Sequence, residues 1–328
     1  MKHYLFAACS LLSLPLYAGE DDWTLNNSFA VWGEVAFFRR SSEGGNHRLI
    51  IDEGNGHLNS CGGCDFSACD SKDLMKRWHY EPGFRIGTAY MSRHTWLEAT
   101  YLWVDEWSSD CHRNNPGLLF FSEDHPNFTN DFFQANTASA HYKSRFRNGE
   151  LNYYRYVTPR KGNYFSAAWL VGARYMFLAE DLDIVFHNGS NRSSYDINTW
   201  NHEYLVQVGI GVGWNPTKVL SWNLFIKLGT GLGYNKQHTF LGDLNNSVVL
   251  RDYNKEHYTA PFFTDVGLSL AYQPWKFFDI HIAYQVIYLN AIANAPNQIV
   301  KRPSHDHHLR TNGYALIHGG TAGITFSF

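Results

Sequence analysis

Between Tyr204 and Trp214 the chain alternates without a slip. Tyr204, Val206, Val208, Ile210, Val212 and Trp214 fall on one side, and Gln207, Gly209, Gly211 and Gly213 on the other. A period of two puts those side chains on opposite faces of a β-strand. The same signature recurs in "FAVWGEVAFF" (29–38), "FRIGTAYM" (84–91), "WLEATYLW" (96–103), "ELNYYRYV" (150–157) and "FSAAWLVGARYMFL" (165–178). It is cleaner in "WNLFIKLGTGLGY" (222–234), "FFTDVGLSLAYQ" (262–273), "FDIHIAYQVIY" (278–288) and "HGGTAGITFSF" (318–328).

Two features separate these segments from the strands of a soluble sandwich. The apolar face of several begins and ends in an aromatic: Tyr204 and Trp214, Trp222 and Tyr234, Phe262 and Tyr272, Phe278 and Tyr288. Spans of about 9–13 residues with aromatics at both ends suit a tilted strand crossing a bilayer. The opposite face carries Glu, Asp, Arg, Lys, Gln and many glycines, whereas a sandwich needs its inward face apolar. Short polar turns ("SRHT", "TPRKG", "NPTK", "QPWK") join strand pairs, and long connections at 41–81, 105–140, 179–203, 235–260 and 289–312 lie between the pairs. Short turns on one side and long loops on the other predict an all-β, transmembrane, antiparallel up-and-down β-barrel with periplasmic turns and extracellular loops. The segments give about ten strands, or about twelve if "LDIVFHN" and "RSSYDINTW" form a separate pair. The last strand then pairs with the first, so neither is an edge.

The other end of the chain fits export. "MKHYLFAACSLLSLPLYAGE" has a basic start at Lys2, an apolar run from Tyr4 to Tyr17 and a small residue at Ala18. It reads as a signal peptide over 1–18, leaving 19–328 as one barrel domain. The chain is 44% hydrophobic and 16% aromatic, yet its mean hydropathy is only −0.35. No segment after residue 18 approaches the ~20 apolar residues of a spanning helix. With Lys+Arg 27 against Asp+Glu 30, there is no electrostatic case for nucleic-acid binding. The expected location is a bacterial outer membrane, and the expected partners are its lipid, the barrel assembly machinery, and small solutes or ions. Phe326 and Phe328, on the apolar face of the final strand, are the candidate assembly signal.

The inward faces carry Glu34, Arg85, Glu98, Glu150, Arg174, Lys227 and Asp265. They read either as a charged constriction that tunes ion passage or as an ion-pair network that fills a narrow barrel. Inward glycines at 209, 211, 213, 229, 231 and 233 leave space, or let bulky neighbours or a loop fold in. After residue 18 the cysteines are Cys61, Cys64, Cys69 and Cys111, an even number in an oxidising compartment. Two disulfides are expected, one of them joining Cys111 to the first long loop, with three connectivities open and intermolecular bridges an alternative. The run His305, Asp306, His307, His308 shows no fixed ligand spacing and reads as a solvated polar loop, so neither metal nor cofactor is assigned. No G-x-S-x-G or other compact catalytic signature is present, and no catalytic residue is assigned.

The block "NGELNYYRYV…AAWLVGARYMFLAEDLDI…SYDINTWNHEYLVQVGIGVGW" resembles the pore-forming, porin-like outer-membrane barrels of environmental and intracellular bacteria, the major-outer-membrane-protein-like group. An E-x-N strand is matched by Glu150 and Asn152. A G-x-RY-x-x-L-x-E strand is matched by Gly172, Arg174, Tyr175, Leu178 and Glu180. A T-x-N-x-x-x-x-Q-x-G strand is matched by Thr199, Asn201, Gln207 and Gly209. The likeness covers roughly residues 82–328. It implies passive passage of small solutes or ions and leaves a homo-oligomer, often a trimer in such barrels, open. It brings no catalytic residues. The competing reading is a closed structural or adhesive surface barrel without transport.

Overall fold

The computed structural model describes residues 28–41, 47–52, 67–92, 95–121, 132–157, 165–217, 219–275, 277–299 and 308–328. The expected signal peptide, Cys61, Cys64 and residues 305–307 lie outside them. The strands are β1 (Ser28–Ser41), β2 (Arg48–Asp52), β3 (Ser67–Asp70), β4 (Glu81–Met91), β5 (Thr95–Phe121), β6 (Phe133–Val157) and β7 (Phe165–Asn188), followed by β8 (Asn191–Trp214), β9 (Leu220–Asp243), β10 (Val248–Thr259), β11 (Phe262–Trp275), β12 (Phe278–Ile292) and β13 (Gly313–Ser327). One short helix, α1 (Ser71–Lys76), follows β3.

Ten strands close into an antiparallel ring in the order β1, β4, β5, β6, β7, β8, β9, β11, β12, β13. The seam is β1 against β13, in register from Ala30↔Ser327 to Ser41↔Leu316. It ends in reciprocal bonds between Phe29 and Phe328 at 3.1 and 2.8 Å. Each ring strand thus has two neighbours, which is how a sheet survives in lipid without an exposed edge. Outside the ring, β2 and β3 lean on the upper end of β5, and β10 continues β11 upward along β9.

The outer surface is an apolar belt between two aromatic girdles. Val171, Val206, Val208, Ile210, Leu228, Leu268 and Ile282 stand exposed in its middle. At the turn side, Phe165 meets Trp214, and Phe278 meets Phe326. At the other side, Phe84 meets Trp103, Tyr175 meets Tyr204, and Tyr234 meets Tyr258. Exposed apolar side chains on this scale are stable only against lipid. The chain is an outer-membrane β-barrel.

The connections differ from the expected long loops. β5 is 27 residues long and β7, β8 and β9 are 24 each, roughly twice the ~9–11 that cross a bilayer. "LDIVFHN" and "RSSYDINTW" are the upper ends of β7 and β8, paired up to Asn188↔Asn191. They are not a separate pair, so the ring holds ten strands and not twelve. The cause is an inversion of pattern at constant register. Below the upper girdle, β7 points Trp169, Val171 and Tyr175 at lipid. Above it, the opposite face is the apolar one, with Leu182, Ile184 and Phe186 buried inside and Asp181 and Asp183 turned outward. Above the membrane the outside is water and the inside is protein core, so the two faces exchange chemistry.

Candidate functional site

All seven charged residues expected on the inner face are buried inside the ring, and they belong to one network. Arg174 Nη2 bridges Glu150 Oε1 at 2.7 Å and Asp265 Oδ2 at 2.5 Å. Lys227 Nζ reaches Glu150 Oε2 at 2.8 Å. Gln285 donates to Asp265 at 2.8 Å and accepts from Arg85, which lies 3.3 Å from Glu34. His281 stands between Glu34, at 3.5 Å, and Asp279, at 3.2 Å. Asn152 donates to Glu98 and Glu150 at 3.1 Å each, and Tyr154 donates to Glu98 at 3.1 Å.

These bonds are not between neighbouring strands alone. Arg174 is on β7 and Asp265 on β11, Arg85 on β4 and Gln285 on β12, Glu150 on β6 and Lys227 on β9, so each bond passes across the interior. Aromatic rings complete the filling. Arg174 lies over the Phe263 ring at 4.4 Å and Lys227 over Phe225 at 4.9 Å. Phe225, Phe263 and Trp32 in turn cover Gly267, Gly229 and Gly87, where a β-carbon would collide with the ring. These inward glycines seat side chains that reach into the lumen. Beneath the polar layer, Trp32, Trp96, Tyr154, Leu170 and Phe225 form an apolar floor.

Two segments close the interior from above. At the end of β12, Ala291 adopts a φ of 58°, a left-handed conformation uncommon for a residue with a side chain. It turns the chain inward, and residues 292–299, including a single 3-10 turn at Ala295–Gln298, are buried. The wall holds them by backbone-mimicking bonds. Asn201 accepts from Ala293 N–H at 2.7 Å and donates to Ala293 O at 3.1 Å, and Ala295 N–H donates to Glu180 Oε2 at 2.7 Å. Glu180 is fixed in turn by Tyr142 at 2.6 Å and by Arg40. The second segment is α1, whose Leu74 and Met75, with Trp78 beyond, enter the apolar core of the mouth. The Trp78 and Tyr142 ring centroids are 4.9 Å apart. Glu180, Asn201, Gln207 and Asn152 were visible in the sequence as motif positions but not as members of a site.

The other predicted residues fall as follows. Phe326 and Phe328 are exposed at the turn side of the seam. Cys69 and Cys111 are buried, free thiols, one on β3 and the other on β5. Among the described residues, no group of three or more His, Cys, Asp and Glu side chains is placed to hold a metal ion. On the outer face above the girdle, Asp110, His141, Asp183 and Asp196 form one row across β5 to β8, and His141 is bonded to Asp110. Burial raises the Asp183 carboxyl above the ordinary range. Burial, then the charge of Asp183, push Asp196 up to about 6.

No protein-family profile matches the chain, and no curated protein matches it. Among solved structures it is similar to the outer-membrane protease OmpT of Escherichia coli, with a TM-score of 0.54 at 8% identity, covering 95% of this chain and 100% of that one. It also matches the toluene transporter TodX of Pseudomonas putida, with a TM-score of 0.37 at 8% identity over 92% of this chain and 89% of that one. A third match is Ail of Yersinia pestis, the attachment invasion locus protein, with a TM-score of 0.28 at 8% identity over 93% and 100%. The likeness to OmpT is one of fold, and fold does not carry function.

Proposed function

We propose that this protein is a closed outer-membrane barrel whose role lies at its surface, structural or adhesive, with no reaction and no free diffusion path of its own. The observation that carries this reading is the set of bonds crossing the interior, above all Arg174 held between Glu150 and Asp265 with Phe263 over its face. Ten strands enclose only a modest space, and here that space holds a polar layer, an apolar floor and two inward segments. The extensions of β5 to β9 offer an extracellular surface well clear of the girdle.

The second reading is porin-like passage of small solutes or ions, favoured by the sequence resemblance over 82–328. It requires residues 292–299 to leave Glu180 and Asn201. Planar-bilayer recordings of the refolded protein decide between them. A barrel that folds, shows heat-modifiable mobility and stays electrically silent supports the closed reading, and binding of that silent barrel to host cells supports its adhesive form. Stepwise channels at ordinary voltages would overturn it in favour of the pore.

A further inference from the structure

Cys69 and Cys111 lie far apart in sequence, yet the fold brings their thiols together. Cys69 is on β3, next to Ile50 of β2 in the pairing; Cys111 is on β5, opposite Ala140 of β6. Cys111 Sγ sits 3.7 Å from the carbonyl oxygen of Ala68, the residue before Cys69. Reciprocal arginine contacts bracket the pair. Arg113, just past Cys111, donates to Ala68 O beside Cys69 at 2.9 Å, and Arg77, at the end of α1, donates to Asp110 O beside Cys111 at 2.6 Å. Each segment thus holds the other's backbone one residue from its cysteine, which keeps the two cysteine positions side by side.

We propose that Cys69 and Cys111 form a disulfide in the exported protein, and that it clasps the α1 segment into the barrel mouth. Of the three connectivities that the sequence allows, this selects the one in which Cys61 and Cys64 are left to each other. The bond forms by exchange with a protein disulfide oxidant of the compartment the chain enters. One cysteine thiolate attacks the oxidant's disulfide and expels a thiolate, giving a mixed disulfide. The second cysteine thiolate attacks that bond and expels the other thiolate. The chain loses two electrons and two protons, and the oxidant leaves as a dithiol. Both thiols are buried after folding, so exchange takes place before the mouth closes.

The clasp has a mechanical meaning, since Cys69 lies two residues before the start of α1, and this segment places Leu74, Met75 and Trp78 in the core of the mouth. This is independent of whether the barrel conducts. The test uses the intact protein, taken from outer membranes with N-ethylmaleimide present throughout and digested before aspartates without reductant. Cleavage before Asp65 and Asp70 releases Cys69 in residues 65–69, away from Cys61 and Cys64, and cleavage before Asp110 releases Cys111 in 110–123. The expected product is the 65–69 fragment linked to the 110–123 fragment, and it disappears on reduction. In parallel, reductant should speed tryptic cutting at Lys72, Lys76 and Arg77 of the folded barrel by several-fold. Maleimide on Cys69 or Cys111, a bridge from Cys69 to Cys61, Cys64 or a second chain, or an unchanged cutting rate would each overturn the proposal.

Discussion

Replacing Arg174 by Met distinguishes a packed interior from a water-filled one. The guanidinium is buried, touches two carboxylates at 2.7 and 2.5 Å, and lies over Phe263 at 4.4 Å. Met keeps much of the volume and removes the charge. Glu150 would retain Lys227, Asn152 and Gln207 as donors, but Asp265 would keep Gln285 alone. A buried carboxylate stripped of its cation costs about 3–5 kcal/mol. If water filled the lumen instead, the same pair would be screened and its loss would cost only about 0–1 kcal/mol. The two architectures therefore differ by several kcal/mol in one substitution.

The double variant Arg174→Met/Asp265→Leu sharpens the test. It removes the orphaned carboxylate along with the cation, and apolar replacement of a whole buried pair is often neutral or stabilising. In a dry interior the double variant should therefore be more stable than the single one by at least about 1 kcal/mol. Reversible urea unfolding in lipid vesicles, followed by tryptophan fluorescence, measures both values. A single substitution that costs less than about 1 kcal/mol, with no recovery in the double variant, would refute the packed network and return the charged residues to a hydrated pore.

Three further outcomes are expected. Val208→Arg places a cation in the middle of the exposed apolar belt and should cost ~2–4 kcal/mol in the same unfolding assay; a cost near zero would reject the assigned facing. Deleting Phe328 removes both of its backbone bonds to Phe29 at the seam and half of the candidate assembly signal, so outer-membrane levels should fall sharply; normal levels of heat-modifiable barrel would refute this. Asp196, whose carboxyl is pushed from 3.8 up to about 6 in the folded state, binds its proton more tightly folded than unfolded. Stability should therefore rise as pH falls from 7 towards 4 and level off below. Asp196→Asn should flatten that dependence and stabilise the barrel at pH 7.5 by about 1–2 kcal/mol, after allowance for solvent screening; an unchanged pH profile would remove Asp196 as its source.

The belt was legible because lipid imposes one rule on every strand: apolar outward, polar inward, aromatics at both ends. Val206, Ile226 and Leu268 announce that rule residue by residue. The rule stops at the upper girdle, and reading 179–203 by it turned two strand extensions into a loop. Leu182 and Ile184 are as regular as Val171 and Ala173, only one place out of phase, since the apolar face has moved from lipid to core. A change of phase without a turn residue is thus the mark of a strand leaving the membrane. Inward glycines such as Gly229 and Gly233 stand equally for space or for seats of bulky neighbours in the sequence, because the side chains that cover them come from other strands: Phe263 of β11 over Gly229, and Thr259 of β10 and Glu203 of β8 over Gly233.

The segment that enters the mouth after β12 has no periodic signature, but one of its anchors does. On the inner face of β7, Glu180 stands between Leu178 and Leu182, all of them buried, whereas Asn201 on β8 sits among the buried polar Thr199 and Glu203 and carries no such mark. A lone carboxylate in an apolar row is costly unless a partner reaches it. Neighbouring strands spend their own backbone groups in the ladder. The donors to Glu180 must therefore come from other side chains or from backbone outside the sheet, and they do: Tyr142, Arg40 and the free N–H of Ala295. An isolated polar residue in the apolar stretch of a barrel strand thus predicts a chain crossing the lumen at that height, and Glu180 marks where this one crosses.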